Sequence, residues 1–408
     1  MYKQKEIYKR MAFKRLRFSL FIIFIYILGS KIVLPGVNME ALHQSFDVPT
    51  TFSFAMSMTG MTLNNFSLFS LGLGPWMSAM ILWRVIGVAK VFKAQSLTQQ
   101  QSYQIKVLIS LVIGGIQSLM IVSRLQTLEG TPPAWMLVSF LLTGGSVLIW
   151  LGNMNKQYGV GGPTIIILVA IMRGLVSRVT QGVLLYSYSP KALMIIFIFL
   201  LFMVWGSFHV FRFFQGERRL PLMHVMLDNR MLAQSYFPVP VNPAGGMPFM
   251  YSFSIVLFPQ YLLSALLYFQ PGNTIMEALY RSLRLSEVPG VLFLMFCVIV
   301  LNYGFAYVNV DYKDLAENLQ KSGDYFNNVY PGRNTEKYLF DILTRMATVS
   351  AVVNTAMIGL PMLGAILVPS LSTWAYVIPS WMILLTLMDK VRIEFLVIYR
   401  RNNYKALL

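Results

Sequence analysis

Long apolar runs, separated by short polar or turn-forming segments, dominate this chain. Ten stand out, near 18–34, 71–90, 104–122, 134–151, 163–185, 192–211, 249–269, 288–308, 343–368 and 371–388. A helix needs about 20 apolar residues to cross hydrocarbon, and these runs have that length. Backbone polar groups in lipid need partners within their own segment, so the runs are predicted as transmembrane helices rather than open strands. Trp76, Trp135, Trp150, Trp374 and Tyr376 lie near run ends, as an interfacial aromatic belt would. Gly114-Gly115 and Gly144-Gly145 would let helices approach closely. The expected fold class is an all-α polytopic membrane protein with ten transmembrane helices. Five plus five would give two halves, 18–188 and 189–389, of opposite orientation.

The polar positions divide the remainder. Residues 1–17 are basic and amphipathic, and 390–408 form a polar tail. No small-residue cleavage site follows the first apolar run, only Lys31-Ile-Val-Leu-Pro-Gly, so it is read as a span and not a cleaved signal. Two connections, 212–248 and 309–342, are long and polar, and Asp311–Lys321 reads as an amphipathic helix. The connection 35–70 holds no Lys or Arg at all. Its segment 52–66 is apolar and Met-rich but too short to cross. It fits either an interfacial helix or a short helix folded back into a cavity, where unbranched Met suits reversible packing.

Composition sharpens this picture. Hydrophobic residues make up 56%, charged residues 12%, and mean hydropathy is +0.60. Soluble domains are nearer about one quarter charged. The net charge of +17 reads as topology and not nucleic-acid binding. With the N-terminus inside, 26 Lys and Arg fall on the cytoplasmic side and 7 outside, which puts both termini in the cytoplasm of a plasma-membrane protein. Arg173 and Arg178 are discordant: they either snorkel to the outer surface or line something wet.

The 16 Asp and Glu avoid the apolar runs, with Asp389 and Glu394 at or past the end of the last one. A proton or sodium pump normally keeps such a group in the bilayer, so that chemistry is disfavoured. Cys297 is the lone cysteine, and His43, His209 and His224 are scattered without HExxH, so no metal site or cofactor is expected.

Local signals point to breaks and docking. Gly72, Gly74 and Pro75 interrupt the start of the second run, as happens where backbone is buried in protein or lines a cavity. Tyr158-Gly-Val-Gly-Gly-Pro163 makes a helix start; no Lys-Ser/Thr follows, so a phosphate loop is rejected. Gln215–His224 carries Arg218 and Arg219 beside Leu-Pro. Such basic residues are often only topogenic, but long loops mixing charge with turn residues favour a docking platform for a cytosolic partner.

The order of blocks resembles the SecY family, the channel subunit of the bacterial Sec protein translocase. The pieces are Lys31-Ile-Val-Leu-Pro-Gly-Val, Ser67-Leu-Phe-Ser-Leu-Gly-Leu-Gly-Pro-Trp-Met-Ser-Ala, Trp150-Leu-Gly with Tyr158-Gly-Val-Gly-Gly, Arg218-Arg-Leu-Pro and Pro240-Val-Asn-Pro-Ala-Gly-Gly-Met-Pro. Leu257-Phe-Pro, Asp314-Leu-Ala-Glu-Asn-Leu-Gln-Lys-Ser-Gly, Tyr330-Pro-Gly-Arg-Asn-Thr and Met388-Asp389 complete the order. Two departures, Tyr330 where the family has arginine and missing glycines and serine around Ile378-Pro-Ser-Trp381, make it most similar to the accessory SecY group of Gram-positive bacteria.

The resemblance implies a central pore closed by an apolar ring, with Leu73, Met77, Thr164, Leu168, Met250 and Met382 as ring candidates. It implies a plug at 52–66 (Phe52, Phe54, Met56, Met58, Met61) and a lateral gate of Met80, Ile81, Phe253 and Leu257. It assigns motor docking to Arg218, Arg219, Tyr330 and Arg333. The implied partners are a SecA-type ATPase motor, SecE-like, SecG-like or accessory small subunits, membrane lipids and an unfolded secretory polypeptide. The implied clients are serine-rich adhesin glycoproteins. The channel itself would be no enzyme. A general housekeeping SecY channel remains open, as does a secondary transporter with broken helices; the latter leaves the plug-like segment and large loops unexplained.

Overall fold

Among the described residues, each apolar stretch lies mainly on a helix, as the need to pair backbone groups within the segment requires. The structure, a computed structural model, describes residues 2–34, 57–58, 67–88, 97–125, 132–186, 190–224, 235–270, 272–368 and 372–404. The elements are α1 (Tyr2–Gly29), α2 (Gly74–Val88), α3 (Gln99–Leu125), α4 (Ala134–Tyr158), α5 (Thr164–Tyr186) and α6 (Pro190–Gln215). There follow β1 (Glu217–His224), β2 (Tyr236–Pro240), α7 (Met247–Phe269), α8 (Thr274–Ser282), α9 (Val288–Asn309), α10 (Tyr312–Ser322), β3 (Asp324–Phe326), α11 (Arg333–Leu367) and α12 (Ser372–Tyr404). Among the described residues, six helices are long and apolar enough to cross a membrane. The remaining apolar stretches fall on α1, α2, α7 and α12.

Several helices outrun their apolar stretches. The basic segment from Tyr2 to residue 17 is continuous with the first run in α1, and α11 starts at Arg333, ahead of its run. α12 extends past its apolar run to Tyr404, so Asp389 and Glu394, at or past the end of that run, still sit on a helix.

The all-α expectation needs one correction. The two long polar connections contribute a three-stranded antiparallel sheet of order β2-β1-β3, with Arg218 opposite Val239 and Leu222 opposite Phe326. Leu220 and Leu222 point inward while Arg219 and Pro221 point out, the period-two pattern of a half-buried strand. Two prolines in β2 are tolerated because β2 is an edge strand. The predicted amphipathic helix is α10. Asp311 caps it, accepting from the backbone N–H of Lys313 and Asp314 at 3.2 and 3.3 Å, and Gly323 at φ +77° ends it.

Two cores result. The large one lies within the bundle. A satellite core joins the sheet to α10 and the start of α11 through Leu220, Leu222, Val239, Leu319, Phe326, Leu339 and Ile342. The sheet is therefore anchored to a helix that continues into the bundle.

Candidate channel site

The break at the second apolar run is built from glycine and a tight packing contact. The chain leaves α1 and returns so that the Leu68 N–H donates to the Ile32 carbonyl at 3.1 Å and Val33 bridges Ser67. Gly72 turns the chain at φ +57°, a conformation open to glycine, and α2 begins at Gly74. The segment lies against α4 because Gly144 lacks a side chain; a Cβ there would overlap the Leu68 carbonyl oxygen. With 15 residues, α2 is only about 22 Å long.

The gate candidates and four of the six ring candidates lie in or against the large bundle core. Leu73, Met77 and Met250 are buried in a single cluster, and Leu168 of α5 packs against it. Thr164 is half-buried at the first position of α5 and Met382 is buried on α12, but neither belongs to that cluster. The gate residues Ile81, Phe253 and Leu257 are buried in the same cluster, with Met80 packed against it. Helix α2 packs on α7, and α3 packs on both. Pro259 sits inside α7, where it removes one backbone hydrogen bond.

Sequence reasoning missed polar groups on these same helices. Ser78 of α2, Gln117 of α3 and Ser254 of α7 are buried, and each carries an oxygen with no hydrogen-bond partner among the described residues. A buried unpartnered polar group weakens helix packing by about 1–3 kcal/mol. A short buried Ser or Gln in an apolar run gives no periodic signal, so only the helix pairing exposes them.

The connection read as a plug is described only at Ser57 and Met58; Phe52, Phe54, Met56 and Met61 lie outside the described residues. Met58 is fully buried and Ser57 nearly so. The discordant arginines meet this region. Arg178 Nη2 donates to Ser57 Oγ at 2.9 Å, and Arg173 donates to Ser30 Oγ at the end of α1.

The turn before α5 is held by a buried network. Asn155 Nδ2 donates to the carbonyls of Val160 and Gly162 at 2.8 and 2.7 Å, and Ser19 Oγ donates to Asn155 Oδ1 at 2.7 Å. The Gly161 N–H donates to Glu394 of α12 at 3.0 Å. Gly161 and Gly162 take φ +79° and +51°. One glycine-rich turn thus ties α1, α4 and α12 together at the start of α5.

The four docking candidates lie on the sheet module. Arg218 and Arg219 project from β1; Arg219 pairs with Glu217 at 2.9 Å and lies over the Tyr236 ring at 4.7 Å. Tyr330 is 80% exposed, Arg333 opens α11, and Thr335 Oγ1 ties the turn by donating to the Tyr330 carbonyl at 3.2 Å. Because β1 and α11 share the satellite core, residues more than a hundred positions apart are presented by one unit.

The module is closed by a polar clamp. His224 contacts Asp324 through Nδ1 and Ser235 Oγ through Nε2 at 2.7 Å, and Ser322 Oγ donates to Asp324 at 2.7 Å. Desolvation alone would raise the Asp324 carboxyl. The hydrogen bonds from Ser322 and His224 and the His224 charge overcome it, so the carboxyl sits below its ordinary range.

Solved structures share this fold. "The structure of a protein conducting channel" matches at a TM-score of 0.67 with 14% identity, covering 94% of this chain and 91% of the other. "Sec61 in the Canine ribosome-channel complex from the endoplasmic reticulum" matches at 0.61 with 13% identity, over 94% and 91%. The fold is that of the membrane protein-conducting channels. The SecY family signature matches residues 67–386, and the chain belongs to the SecY family. Among its relatives, the "Accessory Sec system protein translocase subunit SecY2" of Leuconostoc gelidum subsp. gasicomitatum is 32% identical over 97% of both chains. The protein of that name from Streptococcus gordonii is 32% identical over 88% of this chain and 89% of its own.

Proposed function

We propose that this chain is the protein-conducting channel subunit of an accessory Sec translocase, exporting unfolded polypeptides across a bacterial plasma membrane. The observation that carries this is near-full-length similarity to accessory SecY2 subunits, in a chain whose bundle has the channel fold. Ten spans form two halves, 18–188 and 189–389, around a pore, with both termini and the sheet module in the cytoplasm. The apolar ring seals by excluding water and yields to a peptide. Leu73, Met77, Leu168 and Met250, which lie in or against the bundle core, are its nucleus, with Thr164 and Met382 completing it. The segment 52–66 plugs the outer side, and α2 and α7 part sideways at Met80, Ile81, Phe253 and Leu257 to admit a signal sequence.

The energy comes from a SecA-type ATPase that docks on Arg218, Arg219, Tyr330 and Arg333. SecE-like and SecG-like or accessory small subunits complete the complex, and serine-rich adhesin glycoproteins are its clients. Gate opening is a two-state shift that motor and signal sequence both bias. A photocrosslinker at Leu73 or Met77, challenged with a stalled export intermediate, tests the reading. Adducts to the translocating polypeptide are expected; a competent, cross-linkable channel that yields none would overturn it.

A further inference from the structure

On the topology proposed above, α7 and α9 are joined at the outer surface through the short helix α8. Asn273 starts α8, accepting from the backbone N–H of Ile275 and Met276 at 3.2 and 3.4 Å. Two contacts hold its far end against the bundle. Gln260, about 14 Å back along α7 from Phe269, donates through Nε2 to the Leu283 carbonyl at 2.8 Å. A Cβ on Gly290 would overlap the Arg284 carbonyl oxygen, so the first turn of α9 meets the chain just past α8. Helix α8 therefore folds back beside the last turns of α7 and does not project away. Its side chains divide by face. Met276 and Tyr280, four apart, are half-buried. Ile275 and Leu279, also four apart, are 79% and 51% exposed. On the opposite edge Glu277 pairs with Arg281 at 2.6 Å, and beyond the helix Arg284 lies over the Tyr280 ring at 4.9 Å. The flanking helices also turn apolar side chains outward, Leu262 and Leu266 on α7, Leu292 and Phe296 on α9. An apolar pair opposite a charged pair, on a helix bound to two spans, is the pattern of a helix lying in a membrane interface. Glu277 and Glu287 balance Arg281 and Arg284, so attraction to anionic headgroups contributes little and apolar burial is the driving force.

We propose that α8 is an interfacial anchor: Ile275 and Leu279 enter the outer leaflet of the bilayer, the Glu277–Arg281 edge stays in water, and the outer end of α7 is thereby held at a fixed depth. The occupant of the exposed face is the lipid surface itself, continuous with the lipid that meets α7 and α9. The proposal rests on the channel topology above and adds a membrane contact to one of its helices. Because α8 is tied to α7 through Gln260 and to α9 through the Gly290 contact, a sideways movement of α7 either carries α8 through the leaflet or breaks one of those ties.

The test uses the full chain, its lone cysteine removed by Cys297→Ala, in nanodiscs of phosphatidylcholine or of phosphatidylglycerol. Spin labels are attached singly at Ile275→Cys, Glu277→Cys, Leu279→Cys and Arg281→Cys, with Leu262→Cys on α7 as the lipid reference. At the Ile275 and Leu279 sites, collisions with oxygen should exceed those with a water-soluble nickel complex, as at the Leu262 site. At the Glu277 and Arg281 sites the order should reverse. Both lipids should give the same pattern, because the segment is neutral. Separately, Ile275→Asp combined with Leu279→Asp should speed hydrogen exchange over the last turns of α7 roughly tenfold, the loss expected from two half-immersed aliphatic side chains. Glu277→Gln should leave that exchange as in the parent. Water-exposed labels at both apolar sites beside a lipid-facing Leu262 site would overturn the anchor, as would parent-like exchange in the double variant. Immersion only in phosphatidylglycerol would overturn its apolar basis. Shielding seen in native membranes but not in nanodiscs would assign the face to a protein partner and overturn it too. A Leu262 site that is itself water-exposed would take α7 out of the bilayer and sink the channel topology, and the anchor with it.

Discussion

Replacing Phe326 with alanine isolates the sheet module from the bundle. Phe326 is fully buried, its ring centroid lies 5.4 Å from that of Tyr338, and it belongs to a core of only eight buried residues. Truncating a buried Phe to Ala costs about 3–5 kcal/mol. In a core this small few neighbours can close the gap, and local openings already draw on less than the global stability. The loss should raise the open fraction of the module roughly a hundredfold to a thousandfold. Hydrogen exchange reads this directly: amides of β1 and β3 should exchange faster by that factor, while those of α4 and α9 stay as in the parent. Binding of the cytosolic motor should fall in step. Tyr330→Ala is the control, since that side chain is 80% exposed: it should leave stability within about 0.5 kcal/mol and weaken only docking. Parent-like protection of β1 in Phe326→Ala would refute the idea that this satellite core is a cooperative unit supporting the docking residues.

Asn155→Leu removes three buried hydrogen bonds and strands the Gly162 carbonyl, a loss of about 3–5 kcal/mol that should appear as a lowered unfolding temperature in nanodiscs and faster exchange over 158–163. Gly144→Val should block assembly, because the obstruction is the Leu68 backbone, whereas Gly115→Ala meets nothing within 4 Å and should be neutral or stabilising by about 0.5–1 kcal/mol; expression and thermal stability compare them. The Asp324 carboxyl titrates lower in the folded module than unfolded. Its stabilisation is therefore full above the ordinary value of about 4 and is lost as pH falls through the lowered folded value; acid titration of β1–β3 exchange should show this, and Asp324→Asn should abolish it. Met77→Ile and Thr164→Ile should tighten the ring and reduce the leak of a plug-deleted channel in planar bilayers, and an unchanged leak would remove both from the seal.

The apolar runs were enough to locate the helices, because a backbone in lipid has no alternative to pairing with itself over about 20 residues. The Gly72–Pro75 break and the helix start after Pro163 were legible for a similar local reason: glycine and proline act on their own turn. The strand at 217–224 was not. Its alternation spans only a few residues, is interrupted by Pro221, and gains meaning only when Phe326 arrives from a connection a hundred residues later. The same holds for the site. Motif order nominated ring, gate and docking residues, but the burial of Leu73, Met77, Met250 and Phe253 in one bundle core comes from helix pairing. So does the meeting of Arg178 with Ser57, which turns an arginine that looked misplaced in the topology into one with a partner. Burial and contact are properties of pairs distant in the chain. A linear pattern records how greasy a segment is, and the packed bundle decides which face meets which.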